Sequence, residues 1–291
     1  MLSFEWSLFH CSLSVVGCPF FIVHCRLSVV RFSFYIVPGS ASVILASLGV
    51  FSRDLLHFFF PPICTLCGDR LTENDQVICD QCRQEMTQVL EPICRRCGNP
   101  DVERVSDSCG LCKKMKPSFD IARAAVCYRG PGGQLVRELK YNEHHELAPV
   151  MARLMFVCWQ RMMAFETLDV VVPVPLHPVQ LRERGFNQAE LIAAPFAELF
   201  QKPMVTDAVV RVHWTKSQTR LSREERWENV KGAFEPLVGA GDTLRDKTIA
   251  LIDDVCTTGA TGSDCAAALK QAGAARVILF TFARASLNDR P

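Results

Sequence analysis

Eight of the chain's fifteen cysteines fall in four Cys-x-x-Cys pairs between residues 64 and 112. One set is Cys64, Cys67, Cys79 and Cys82; the other is Cys94, Cys97, Cys109 and Cys112. Every cysteine of the first set lies 30 positions before its counterpart in the second. The repeats open alike, as Pro62-Ile63-Cys64-Thr65-Leu66-Cys67-Gly68 and Pro92-Ile93-Cys94-Arg95-Arg96-Cys97-Gly98. Such fixed-period similarity marks a duplicated unit. Two intervening residues let one tight turn aim two thiolates at a single ion, and a following Gly supports the bent backbone. Two knuckles complete a closed shell of four thiolates suited to Zn2+, with no open position for water, so two structural ions are expected. The pairing stays open, because sequential quartets and a cross-braced swap both satisfy the spacing. Paired knuckles favour metal over disulfides, and with it a reducing, cytoplasmic setting. Losing Cys79 is expected to destabilise this module and to leave the rest of the chain folded.

The flanks differ in character. Lys and Arg number 32 against 31 Asp and Glu, so overall charge does not point to nucleic acid. The first fifty residues are rich in Phe, Val, Ser and Leu, but His10, His24, Arg26, Arg31 and Pro38 interrupt every apolar run. Stable membrane insertion is not expected from such a stretch. Three readings compete for it: a degenerate anchor, a poorly ordered extension, and a start assigned too far upstream. The third is favoured, since no Met occurs between Met1 and Met86. The domain expectation is therefore 1–52 as a non-native or disordered extension, 53–118 as a double zinc module, and 119–291 as an α/β domain. Intact mass of natively expressed protein is expected to match a start near Val50 or Leu55, and a native peptide from residues 1–40 would refute that.

Beyond Pro117 the pattern becomes strand–helix–strand. Strands are expected at Ala124–Tyr128, Asp169–Val174, Lys247–Asp254 and Val277–Phe282, with a turn at Gly130-Pro131-Gly132-Gly133. Helices are expected over 145–164, over 188–200, and from the Thr-rich turn to Gly273. This alternation implies a parallel sheet with right-handed crossovers.

The chemistry gathers at the end of one strand, in Ile252-Asp253-Asp254-Val255-Cys256-Thr257-Thr258-Gly259-Ala260-Thr261. Ligands bind beyond the carboxyl ends of parallel strands. Adjacent carboxylates there need hydroxyls or a cation, and a turn into a helix N-terminus offers N–H groups to phosphate. The string resembles the signature by which type I phosphoribosyltransferases bind 5-phosphoribosyl-1-pyrophosphate (PRPP). Asp253, Asp254, Thr257, Thr258, Gly259, Ala260 and Thr261 are the residues that match.

Further strings narrow the resemblance. Val172-Pro173-Val174-Pro175-Leu176-His177 precedes Arg182-x-Arg184-Gly185-Phe186-Asn187-Gln188. Thr215-x-x-Gln218-x-x-Leu221-Ser222, Arg226-x-x-Asn229 and Ala233-Phe234 follow. With the cysteine module in front, the chain resembles the ComF family, including its GntX-like branch, from about Asp54 to Arg284. The resemblance implies a type I phosphoribosyltransferase fold, PRPP with Mg2+ as ligand, and a role in natural competence or use of external DNA. Pro175, Arg182 and Arg184 would then lie near the pyrophosphate. Residues 211–231, with Arg226, would form a mobile hood. Lys140 also matches a family position. His177 is expected to shape its loop rather than act as a base. No residue is nominated as catalytic, and the acceptor is not legible. The alternative is a non-enzymatic factor that keeps the PRPP site for binding or regulation. In that case Arg95, Arg96, Lys113, Lys114 and Lys116 would touch single-stranded DNA, or the knuckles would recruit a DNA-processing protein.

Overall fold

The computed structural model describes residues 3–6, 9–15, 21–27, 30–36, 61–72, 77–103, 105–164, 166–213 and 223–285. The chain divides into two compact units, 1–62 and 63–291. The first contains four strands, β1 (Ser3–Trp6), β2 (Phe9–Val15), β3 (Phe21–Leu27) and β4 (Val30–Ile36). They pair antiparallel in sequence order. The apolar segment Asp54–Phe60 lies outside the described residues.

The second unit opens with the cysteine repeats, and their duplication extends to the backbone. Cys64 N donates to Asp69 O at 2.7 Å, and Cys94 N to Asn99 O at 2.9 Å. Gly68 N closes on Cys64 O at 2.9 Å, and Gly98 N on Cys94 O at 2.8 Å. Each second knuckle opens a short helix, α1 (Asp80–Gln84) and α2 (Gly110–Met115). The repeats differ in their surroundings. A Cβ at Gly98 would lie 2.7 Å from Ala122 O, so the second knuckle presses directly on the strand that follows; at Gly68 the same position is open.

That strand is β5 (Ile121–Cys127). Next come α3 (Gly130–Tyr141), α4 (Leu147–Met162), β6 (Val170–Pro173), α5 (Pro178–Arg184) and α6 (Gln188–Phe200). A two-stranded pair, β7 (Val209–Arg211) with β8 (Phe234–Pro236), flanks α7 (Arg223–Val230). The chain then runs through α8 (Ala240–Leu244), β9 (Thr248–Cys256), α9 (Ala260–Gln271) and β10 (Arg276–Arg284). The main sheet has the order β5-β10-β9-β6, with every pairing parallel. The α/β class with a parallel sheet behind a Cys-rich zinc-binding region is therefore as expected. One element differs. Gly130-Pro131-Gly132-Gly133 does not form a turn but opens α3, where Pro131 occupies a first-turn position whose missing N–H costs nothing.

Strand alternation sorts the core into two layers. Ile278, Phe280 and Phe282 of β10 face one side with Leu139, Met155, Trp159 and Phe196. Trp159 meets the Phe280 ring edge-on at 5.2 Å. Val277 and Leu279 face the other side with Leu251, Cys265 and Leu269. Cys64, Cys79 and Cys82 are buried in the first layer, and all four cysteines of the second set in the other. Each set thus sits in the core of the sheet that follows. Because this hydrophobic surface is shared, losing Cys79 is expected to weaken the α/β part as well. Among the described residues no helix is long and apolar enough to cross a membrane.

Candidate functional site

The cysteines resolve into sequential tetrads. The ligand atoms of Cys64, Cys67, Cys79 and Cys82 lie within 4.8 Å of one another, as do those of Cys94, Cys97, Cys109 and Cys112. Sulfur pairs stand at 3.9 Å (Cys64–Cys82), 3.7 Å (Cys67–Cys79) and 3.7 Å (Cys97–Cys109). A tetrahedron with metal–sulfur bonds of about 2.3 Å has sulfur–sulfur edges of about 3.8 Å. The donor set therefore fits zinc. Backbone N–H groups support the sulfurs: Cys79 N reaches Cys64 Sγ at 3.4 Å, and Cys109 N reaches Cys94 Sγ at 3.2 Å. In the first tetrad burial raises the Cys64 thiol, but N–H groups of Cys67 and Cys79 outweigh it and hold it down at about 7. Burial and the neighbouring thiols push Cys82 up. Four sulfurs this close cannot all ionise without a cation between them. Elemental analysis is expected to give about two zinc ions per chain, one for each closed shell. A ratio near one would assign one tetrad another role.

The second cluster stands at the carboxyl end of β9. Alternation sends Asp253 and Asp254 to opposite faces. Asp254, 4% exposed, turns to the α3 side, where Lys140 Nζ meets its Oδ2 at 3.2 Å. Asp253 turns to the α9 side and lines a small cavity with Val255, Thr257, Gly259, Thr261 and Thr281. The pair shares backbone support: Asp254 N donates to Asp253 Oδ1 and Val255 N to Asp254 Oδ1, each at 2.9 Å. Their acidities are driven apart. Burial and then the Asp254 charge push Asp253 well above the carboxylate range. Burial also acts against ionisation of Asp254, but the Lys140 ammonium overrides it and holds Asp254 low. The Asp254 carboxylate in turn raises Lys140. Asp254 is thus neutralised from within the protein, and among the described residues no ion pair reaches Asp253.

Beyond the acids the chain turns through Gly259 into α9. Gly259 has φ +83°, and a Cβ there would meet the Phe119 ring at 3.3 Å. Backbone freedom and close approach both require glycine. Thr258 is buried, and its Oγ1 accepts from Ala260 N at 3.4 Å, which turns it toward the backbone at the start of α9.

The other expected residues are more dispersed. Arg182 and Arg184 lie on α5, which starts just past the end of β6; Arg184 donates to Gln188 Oε1 at 2.6 Å. Among the described residues no hydrogen bond or ion pair joins either arginine to Asp253 or Asp254. Pro175 is half-buried in the turn before α5, and Arg226 lies on α7. His177 shapes this turn, its Nδ1 accepting from Val179 N at 3.3 Å. In the Arg-Gly-Phe-Asn-Gln string, Asn187 caps α6 through Ala189 N at 3.0 Å and donates to Val174 O at 3.1 Å. The string therefore ties a helix–turn–helix to the end of β6. Lys216, Arg220 and the Thr215–Ser222 string lie outside the described residues. Arg95 pairs with Asp107 at 3.2 Å, Arg96 donates to Pro117 O at 2.7 Å, and Lys114 pairs with Glu224 at 2.8 Å. Two residues not singled out by sequence are Asp264 and Phe119. Asp264 of α9 accepts from the N–H groups of Gly232, Ala233 and Phe234 at 2.9, 2.8 and 3.1 Å, anchoring the link from α7 to β8.

Residues 55–115 match the double zinc ribbon domain. The DNA utilization protein YhgH of Salmonella typhi is 30% identical over 233 residues, covering 77% of this chain and 97% of that protein. The chain belongs to the ComF family. Competence protein F of Haemophilus influenzae is 28% identical over 230 residues, covering 78% of this chain and 99% of that protein. The competence protein ComFC of Bacillus subtilis is 25% identical over 238 residues, covering 76% and 95%. A solved structure of the allosteric regulatory enzyme of purine biosynthesis aligns over 46% of this chain and 25% of its own, with 19% identity and a TM-score of 0.30, too low for a comparison of folds.

Proposed function

We propose that this ComF-family chain binds PRPP with Mg2+ at the end of β9 and acts in natural competence or the use of external DNA. The names of its relatives supply the biological setting. The observation that carries the ligand is the split pair Asp253 and Asp254 immediately before the Gly259 turn into α9. Lys140 keeps Asp254 ionised and fixed, ready to accept hydrogen bonds from ribose hydroxyls. Asp253 would serve the hydroxyls and the cation. N–H groups of 257–261 would hold the 5′-phosphate, aided by the α9 dipole. Mg2+ would neutralise pyrophosphate oxygens as that group departs from ribose C1. Arg182 and Arg184, on the element after β6, suit the same anion by their forked donors. Arg211, buried beside the Phe234 ring at 5.5 Å, acts electrostatically on Asp253 from the hood side. The acceptor would enter between this loop and the hood.

The test is calorimetric titration with PRPP and Mg2+, followed by pyrophosphate release with a panel of bases and amines. Lys140→Met is expected to weaken PRPP binding roughly ten- to a hundredfold, because it leaves Asp254 buried without its partner. Absence of PRPP binding by the unaltered protein would refute the proposal. Binding without turnover would favour the non-enzymatic reading, which has its own support. A groove lined by Lys114, Lys116, Trp227 and Lys231, with Glu228 and Asp264 among them, runs between α2, α7 and α9. Cations interleaved with an indole suit a single-stranded nucleic acid. Steeply salt-dependent binding of single-stranded DNA is the outcome that reading requires.

A further inference from the structure

Arg284 is the last residue of β10 and is 2% exposed. It stands opposite Cys256 in the sheet register and donates from one guanidinium nitrogen to Cys256 Sγ. Its Nε and its other terminal nitrogen are buried without a hydrogen-bond partner. A buried guanidinium cannot shed its proton, so the charge must be met by an anion. No carboxylate forms an ion pair with Arg284 among the described residues.

The second cysteine tetrad supplies that anion. Four thiolates around Zn2+ retain two net negative charges. In the first tetrad Cys67 is exposed, and water can screen the excess. In the second tetrad every cysteine is at most 9% exposed, and all four share one buried cluster with Cys256 and Phe119. Its knuckle lies against β5, and β5 pairs with β10 up to Arg284 itself. The Arg284 charge acts on both Cys97 and Cys109. Arg123 is the other cation in range, but its guanidinium donates to the carbonyls of Arg95 and Ala122, each at 2.8 Å. Arg123 thus also faces the tetrad, through Cys94 and Cys97, but of the two only Arg284 also hydrogen-bonds the end of β9, through Cys256 Sγ.

We infer that Arg284 is the buried counter-cation of the second zinc tetrad and that, through Cys256, it couples metal occupancy there to the loop after β9. Arg284 is on this account a positioning residue. The claim does not depend on PRPP chemistry, since metal retention reads it directly.

The experiment challenges the zinc-loaded full chain with a chelator and follows alkylation of individual cysteine peptides by N-ethylmaleimide. The first tetrad is the internal control. In Arg284→Met, cysteines 94, 97, 109 and 112 are expected to lose protection roughly a hundredfold faster or more, the low end of what an unpaired buried charge costs. Cysteines 64, 67, 79 and 82 should keep their rate. Arg284→Lys should restore most of the protection and Arg284→Gln none; this pair decides the matter if the Met variant does not fold. In the unaltered protein, stripping the second tetrad should expose Cys256 to alkylation. Equal protection of the second tetrad in Arg284→Met or Arg284→Gln and the unaltered chain would overturn the counter-cation role. So would equal acceleration at both tetrads. An unchanged Cys256 after stripping would overturn the coupling.

Discussion

Gly259→Val is expected to abolish measurable PRPP binding while leaving both zinc ions in place. Valine at φ +83° carries the left-handed penalty of about 1–2 kcal/mol, increased by its branched Cβ. The new side chain also meets the Phe119 ring, whose Cε1 is 3.3 Å from the added Cβ. Phe119 is 1% exposed and cannot move aside without opening the core. The loop must shift instead, and its N–H groups lose their common aim. Asp254→Asn comes next. It keeps the shape but removes the charge that Lys140 neutralises at 3.2 Å, and it weakens contacts to hydroxyls by about 1–3 kcal/mol. That corresponds to roughly ten- to a hundredfold in affinity. Thr258→Ala ranks last, since its hydroxyl accepts only a long hydrogen bond, 3.4 Å from Ala260 N, and neighbouring N–H groups still reach the phosphate. Calorimetry with PRPP and Mg2+ on the three variants checks the order. Equal binding by all three and the unaltered protein would move the site elsewhere.

Much of this arrangement is legible in the chain because its signals are local. The 30-residue cysteine repeat specifies two knuckle pairs, and an apolar run before Asp253-Asp254 specifies a buried parallel strand. The strand ends were less clear. β9 continues past the aspartates to Cys256, because Val255 and Cys256 still pair with Ala283 and Arg284 of β10. The Gly130–Gly133 segment was misleading because proline and glycine serve a helix start as well as a turn. Lys140, 114 residues before Asp254, is joined to it only by folding. Arg284 is hidden for the same reason, since its partners come from β9 and from the cysteine repeat. The knuckle pairing, open to two arrangements by spacing, is decided by where α1 and α2 bring the second pair of each set.

Removing both zinc ions is expected to unfold residues 63–291 as one unit. Coordination of structural zinc by cysteine-rich units contributes about 10–16 kcal/mol of apparent free energy at neutral pH. A whole domain is usually stable by only about 5–15 kcal/mol. Together the two tetrads therefore carry energy at least comparable to the net stability of the fold. Three cysteines of the first set pack with the Trp159 layer, and the second set packs with Leu251 and Leu279. Losing both ions withdraws apolar and metal-bound surface from both faces of the sheet. A strong chelator should thus produce one cooperative loss of ellipticity instead of an early melt of the ribbons followed by a stable sheet. The substitutions should rank by burial. Cys97→Ser, at a position 3% exposed, should lower the melting temperature far more than Cys67→Ser, whose side chain reaches solvent. Circular dichroism melts with zinc content measured on the same samples test both statements. A zinc-free chain whose sheet melts unchanged would show that the ribbons are an independent module, and that the shared core layers contribute little to stability.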